Sequence, residues 1–219
     1  MKNIILLGAP GSGKGTQAGN IANWYGIQQV STGEIFRTNI NAGTELGKLA
    51  KQYIGGGRLV PDDLTIELVK TRIMEATCNN GFILDGFPRT VYQAEALDKF
   101  LAEENRKIDV VANIQLSDET VVTRLSGRRL CAACGKSYHI AYNPPAVEGV
   151  CDKCGGKIVS RDDDNEETIR NRLIVYHRET APLIERYKKQ GIFVQVTSHE
   201  LIEDTTSEMK AALINVFGE

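Results

Sequence analysis

The chain lacks most of what would mark it for a membrane or a nucleic acid. No apolar run in its 219 residues approaches membrane-spanning length. One Lys and the run NIILL precede Gly8, too little for a signal peptide, so a cytoplasmic protein is expected. A net charge of −2 leaves no global basic field for DNA, RNA or anionic lipid. Any basic site must therefore be local and offset by acid elsewhere. There is no low-complexity segment, and histidine is scarce, at positions 139, 177 and 199 only. The five cysteines, in a reducing compartment, suggest metal or redox chemistry more than disulfides.

What is present is alternation. Short apolar runs at 3–8, 28–31, 81–86, 110–116 and 192–196 read as buried strands. Helical patterns lie between them at 14–25, 32–42, 46–54, 63–77, 90–104, 118–129, 166–189 and 205–217. The pattern predicts an α/β fold: a parallel sheet of about five strands flanked by helices, with right-handed crossovers. Residues 130–163 break the rhythm. They hold four cysteines and two adjacent prolines with few apolar residues, which predicts a small inserted subdomain.

The first strand runs into GAPGSGKGTQ (8–17), which fits the phosphate-cradling pattern G-x-x-x-x-G-K. A glycine-rich turn that opens a helix aims backbone N–H groups and the positive helix end at an anion, and Lys14 adds a mobile charge. A plain strand–helix turn would explain one or two glycines, but not four around a lysine. The Ser or Thr that usually follows the lysine to ligate Mg²⁺ is absent: Gly15 stands there and Thr16 comes one residue later. Mg²⁺ would then be held through nucleotide phosphates and water, with Asp85 at the end of the third strand as the nearby carboxylate. A strand-end turn aspartate is the plainer reading of Asp85, weakened by Arg89 four residues on.

Cys131-x₂-Cys134 and Cys151-x₂-Cys154, sixteen residues apart, form a strong zinc signal. Four thiolates close a tetrahedral site, so the metal would be structural. His139 is a possible competitor as ligand, and Cys78 reads as a packed thiol. Arg72, Arg170, Arg178 and Arg186 read as surface partners of helical glutamates. Asp162 to Asp164 read as caps of the helix that begins near Asn165. A hinge role for Asp163 or Asp164, pairing with arginines of the insert, is the alternative.

Taken in order, GAPGSGKGTQ, STGEIFR (31–37), GFILDGFPRT (81–90) with Gln93, GRR (127–129) and NRLIVYH (171–177) resemble adenylate kinases over essentially the whole chain. The cysteine insert resembles the lid of the long, zinc-bearing bacterial form. The resemblance implies reversible, Mg²⁺-dependent transfer of the terminal phosphoryl of ATP to AMP, giving two ADP, by a monomer that binds neither nucleic acid nor membrane. It implies a core (1–31, 61–126 and 165–219), a nucleoside monophosphate arm (32–60) and a lid (127–164). Gly11, Ser12, Gly13, Lys14, Gly15 and Thr16 would hold the ATP phosphates, Arg124 would stack on the adenine, and Ser137 and Tyr138 would touch ATP from the lid. Thr32 and Gln93 would lie near the AMP base, with Arg37 and Arg89 on its phosphate. Arg58, Val60, Gly86, Phe87 and Pro88 belong to the same implied site. Arg128 and Arg161 would reach phosphates from the lid and Arg172 from the helix behind it, completing a catalytic set with Lys14, Arg89 and Arg124. The adenine-contacting loop falls near 198–200, with no residue assigned.

Physical chemistry supports a nucleotide acceptor independently. A protein hydroxyl would need a catalytic base, and the chain has no protein-kinase catalytic loop. A phosphate oxygen is already largely ionised at neutral pH. A kinase for another nucleoside monophosphate is the nearest alternative. A GTPase-like switch would need N-K-x-D and a hydroxyl directly after Lys14, and has neither. A zinc-ribbon nucleic-acid module would need basic and aromatic enrichment, whereas 135–165 is mixed in charge with Tyr138 and Tyr142 as its aromatics.

Overall fold

The computed structural model describes residues 1–218. Five parallel strands form the central sheet in the order β2-β3-β1-β4-β8, where β1 is Lys2–Gly8, β2 Gln28–Ser31, β3 Gly81–Asp85, β4 Val110–Gln115 and β8 Phe193–Thr197. Strand residues alternate between two cores, as a sheet covered on both faces requires. Ile4 and Leu6 pack with Ala18 and Ile21 of α1 (Lys14–Tyr25) and with Met209 and Leu213 of α9 (Ile202–Phe217). Ile5 and Leu7 pack on the other face with Val69 of α4 (Asp62–Ile73), Leu97 of α5 (Val91–Glu103) and Leu183 of α8 (Pro182–Lys189).

Two excursions leave the sheet. The helices α2 (Thr32–Ala42) and α3 (Glu45–Ile54) form an arm with its own small core of Phe36, Ala50 and Val60. After α6 (Asp118–Ser126), a separate antiparallel sheet of order β6-β5-β7 is built from β5 (Arg128–Cys131), β6 (Ser137–His139) and β7 (Ile158–Val159). Its interior is little more than Cys131, Tyr138, Cys151 and the edge of Ile158. The chain returns through α7 (Glu166–Val175). None of the described helices is long and apolar enough to cross a membrane.

Several element boundaries differ from the sequence reading, each for a physical reason. The helix expected over 118–129 stops at Ser126. Gly127 sits against the His139 ring, whose Nε2 would lie 2.3 Å from any Cβ there, so the backbone turns directly into the small sheet. The helix expected over 166–189 is interrupted by a π-helical turn at Tyr176–Thr180, where the Thr180 hydroxyl donates to the Arg89 carbonyl at 2.8 Å. The cap of α7 is Asn165, whose side chain accepts the Thr168 N–H, not Asp162–Asp164. Arg186 pairs across to Asp98 and Glu95 on α5 instead of along its own helix.

Candidate active site

The parallel register brings the ends of β1, β2 and β3 together: Asp85 is level with Leu6 on one side and Ser31 on the other. Beyond this edge the 8–17 loop winds back into α1, with Gly11 at φ 78° and Gly13 at φ 92°, conformations that only glycine adopts without strain. Lys14 folds across this loop and donates to the Gly8 and Ala9 carbonyls at 2.7 and 2.8 Å. The residue keeps some accessible surface, but its ammonium is enclosed by protein. Burial, with Arg89, Arg172 and Arg128 nearby, pushes its pKa from 10.5 down to about 7, against the opposing pull of Asp85. A Cβ at Gly15 would lie 3.5 Å from Asp85 Oδ2, so the space a hydroxyl-bearing residue would fill is left open beside that carboxylate.

A pocket adjoins the loop. It is lined by Thr32, Arg37, Arg58, Val60, Gly86, Arg89, Gln93 and Arg172, together with Phe36, Thr65, Asp163 and further residues of the arm. Its polar groups are held before any ligand arrives. Thr32 Oγ1 donates to the Gly86 carbonyl at 2.9 Å, and Arg89 Nε donates to the same oxygen at 2.8 Å. Arg58 donates to the Gln52 carbonyl at the pocket rim. The arm closes on α7, where the Thr168 hydroxyl donates to the Gly55 carbonyl and Gly57, at φ 73°, lies against the Thr168 carbonyl.

Six cations from six separate segments meet between the loop and this pocket. Burial lowers the pKa of Arg37 and Arg89. Burial together with Arg128 and Arg37 pushes Arg161 down to about 9. Burial, with Arg128 and Arg89 as cationic neighbours, pushes Arg172 down to about 10. These four guanidinium groups keep their charge at neutral pH. Two carboxylates just before α7, Asp163 and Asp164, hold part of the cluster. Arg128 grips Asp164 through Nε at 2.8 Å and Nη2 at 2.5 Å, and Arg172 reaches Asp163 at 3.2 Å and Asp164 at 3.3 Å. The Arg161 Nε is buried with no partner among the described residues. So dense a group of buried cations costs free energy in the empty protein, which only an anionic ligand would recover.

The comparisons with known proteins agree. A family model described as adenylate kinase matches residues 6–192. The adenylate kinase of Caldicellulosiruptor saccharolyticus is 54% identical over 210 residues, covering 96% of this chain and 98% of that protein. That of Acetivibrio thermocellus is 54% identical over 213 residues, covering 97% and 98%. The adenylate kinase of Archaeoglobus fulgidus is 51% identical over 211 residues, covering 96% and 97%. The chain belongs to the adenylate kinase family.

Within this adenylate kinase fold the remaining residues of interest are placed as follows. Arg124, at the end of α6, donates to Ser198 Oγ at 2.6 Å and to the His199 carbonyl at 2.5 Å. Ser198 in turn donates to the Ser12 carbonyl at 3.1 Å. The 198–200 loop, to which the sequence assigns no residue, thus ties Arg124 to the phosphate loop. Only a backbone carbonyl and a small hydroxyl are involved, and neither leaves a pattern in the sequence. Ser137 is exposed, whereas the Tyr138 side chain points into the lid, its hydroxyl donating to Cys151 Sγ at 3.3 Å and accepting the Asp152 N–H at 2.8 Å. Any contact from Tyr138 to a nucleotide would come from its backbone. Phe87 is buried in the main core, and neither it nor Pro88 lines the pocket.

Cys131, Cys134, Cys151 and Cys154 gather with all four sulfurs within 4.8 Å of one another, and none is in a disulfide. The Cys131–Cys154 and Cys134–Cys151 separations are 3.5 and 3.6 Å. A tetrahedral metal with bonds of about 2.3 Å needs sulfur–sulfur edges near 3.8 Å, so the cluster fits one. His139 is not part of it; its Nδ1 accepts the Ala141 and Tyr142 N–H groups instead.

Proposed function

We propose that this adenylate kinase transfers the terminal phosphoryl of ATP to AMP, reversibly, to give two ADP. The observation that carries the reading is the meeting of Lys14, Arg37, Arg89, Arg128, Arg161 and Arg172 between a phosphate loop and a second, separate pocket. One nucleotide would not need two anion sites; a donor and an acceptor do. The switch and nucleic-acid readings do not account for this geometry.

In this reading Gly11 to Thr16 hold the donor phosphates, and the loop N–H groups and Lys14 stabilise the leaving β-phosphate. Arg124 lies flat on the donor adenine, held by the 198–200 loop. Arg37 and Arg89 clamp the acceptor phosphate, while Thr32, Val60 and Gln93 form the seat of its base. Arg128, Arg161 and Arg172 neutralise the charge that spreads over the transferring group. No base is required, because the acceptor oxygen arrives ionised. Arginine suits the task, since its planar fork fixes phosphate orientation as well as charge. Residues 32–60 act as the monophosphate arm, 127–164 as the lid, and 1–31, 61–126 and 165–219 as the core. Bound with ATP, Mg²⁺ would supply further charge neutralisation at the β- and γ-phosphates. Asp85 and the opening at Gly15 fit its hydrated form. The four cysteines would hold a structural Zn²⁺ with no open position. The same reading makes the protein a cytoplasmic monomer.

A coupled assay offering ATP with each nucleoside monophosphate tests the proposal. AMP should be used far faster than CMP, UMP or GMP. Equal use of another monophosphate, or none of AMP, would refute it.

A further inference from the structure

Gln93 is almost fully buried, and both ends of its amide are engaged before a nucleotide binds. Its Oε1 accepts the Arg89 backbone N–H at 2.7 Å, and its Nε2 donates to Asp62 Oδ1 at 2.7 Å. The other oxygen of that carboxylate, Oδ2, accepts the Thr90 hydroxyl at 3.0 Å. Thr90 Oγ1 in turn accepts the Gln93 N–H as the cap of α5. Asp62, in the first turn of α4, therefore binds both the capping residue and the side chain of Gln93. It does not itself line the pocket that Gln93 lines.

A primary amide exchanges its donor and acceptor by a half-turn about its last torsion. Here that half-turn is blocked twice. It would set the Gln93 oxygen against an ionised carboxylate, which can only accept, and the NH₂ against a backbone N–H, which can only donate. The order of the remaining free N–H and the remaining lone pair is thus fixed by the protein. The order matters because purines differ in it. A 6-amino purine offers a donor at position 6 and an acceptor at N1; a 6-oxo purine offers the reverse. An amide free to flip would serve both.

We propose that Asp62 is a specificity-determining positioning residue: by locking the Gln93 amide, it makes the acceptor pocket take a 6-amino purine monophosphate and refuse a 6-oxo one. The inference rests on the reading of this pocket as the AMP site. Asp62 acts only through Gln93, so its effect must vanish when the amide is absent.

The experiment compares kcat/KM for AMP and for GMP, at saturating ATP, in the full-length wild type, Asp62→Ala, Gln93→Leu and the double variant, with melting temperatures for each. Asp62→Ala leaves the Arg89 N–H as the single remaining block, so the AMP-over-GMP preference should fall by several-fold and at most about tenfold, the kinetic scale of a misplaced hydrogen bond, through KM for the monophosphates. The KM for ATP should stay within about threefold of wild type. In the Gln93→Leu background the same substitution should leave the preference unchanged. Asp62→Asn, which keeps the size of the side chain and can follow a flip, should shift the preference in the same direction even if Asp62→Ala folds poorly. An unchanged preference in a well-folded Asp62 variant would overturn the proposal. So would an equal loss for AMP and GMP, or a shift that persists without the Gln93 amide. A wild type that does not prefer AMP over GMP would instead refute the reading of the pocket.

Discussion

Replacing Lys14 by methionine should do two opposite things. The side chains are of similar length, so the substitution removes charge without opening a large cavity. Activity should fall by orders of magnitude, since the leaving phosphate loses its mobile cation. Stability of the ligand-free protein should respond in a pH-dependent way. Lys14 has a pKa of about 7 in the folded state against 10.5 ordinarily. Below pH 7 it is charged in both states, and the folded state bears the whole cost of burying it. Between pH 7 and 10.5 the unfolded chain binds more protons than the folded one, so wild-type stability rises with pH and the cost fades. The methionine variant has no such dependence. At about 1.4 kcal/mol per pKa unit, the stability gap between variant and wild type should shrink by at most roughly 4 kcal/mol from about pH 6.5 to pH 10. Water in the open cleft screens part of this, leaving about 2 kcal/mol. For a chain of this size that is a change of about 4–8 °C in the difference between the two melting temperatures. The hydrogen bonds lost from the Gly8 and Ala9 carbonyls add an offset that does not vary with pH. Calorimetry of both proteins across this range, without nucleotide, is the assay. A stability difference, variant minus wild type, that is independent of pH or that rises with pH would refute the reasoning.

Cys134→Ala, or metal removal by a chelator, should lower the melting temperature by several degrees, because the lid has almost no apolar interior of its own; below that transition, turnover should change only modestly. Loss of turnover with an unchanged melting curve would exclude a structural role. Gly57→Ala puts a Cβ 2.9 Å from the Thr168 carbonyl at φ 73°, so the arm must back away from α7. KM for AMP should rise about tenfold or more, with KM for ATP little affected, as steady-state kinetics would report. Ser198→Ala removes the link between Arg124 and the Ser12 carbonyl and should raise KM for ATP several-fold, roughly 1 kcal/mol of positioning, while KM for AMP stays put.

The parts of the molecule legible in the sequence are those set by local geometry. A strand, a glycine turn and a helix start within a dozen residues of each other define the phosphate loop, and two C-x₂-C turns define the lid cluster. What stayed hidden depends on partners distant in the chain. The capping chemistry of Asp163 and Asp164 looks sufficient in isolation. The alternative reading of these carboxylates, pairing with an arginine of the insert, matches Arg128 on Asp164; the share taken by Arg172, and the passing of the cap to Asn165, are not legible. The helical period from 166 to 189 gives no warning of the π turn, which accompanies the bond from Thr180 to the Arg89 carbonyl, 91 residues away. Tyr138, which the resemblance would set against ATP, instead turns its ring inward, where its hydroxyl donates to Cys151, a contact with a residue thirteen positions on that no local pattern announces. A carboxylate in the first turn of a helix, as Asp62 is, is ordinary; only the fold reveals that it faces Gln93.

The cluster between the glycine loop and the adjoining pocket sets the cations Lys14, Arg37, Arg89, Arg128, Arg161 and Arg172 against the carboxylates Asp85, Asp163 and Asp164, a formal surplus of three positive charges, somewhat less at neutral pH where Lys14 is only partly protonated. The chain as a whole carries −2, so everything outside these nine residues carries −5. A net negative remainder around a cationic cleft should steer an anionic nucleotide toward that one opening, where low-dielectric walls concentrate the field. Capture should therefore be fastest in dilute salt and slow steeply as ions screen the cleft, over a Debye length of about 10 Å at 0.1 M.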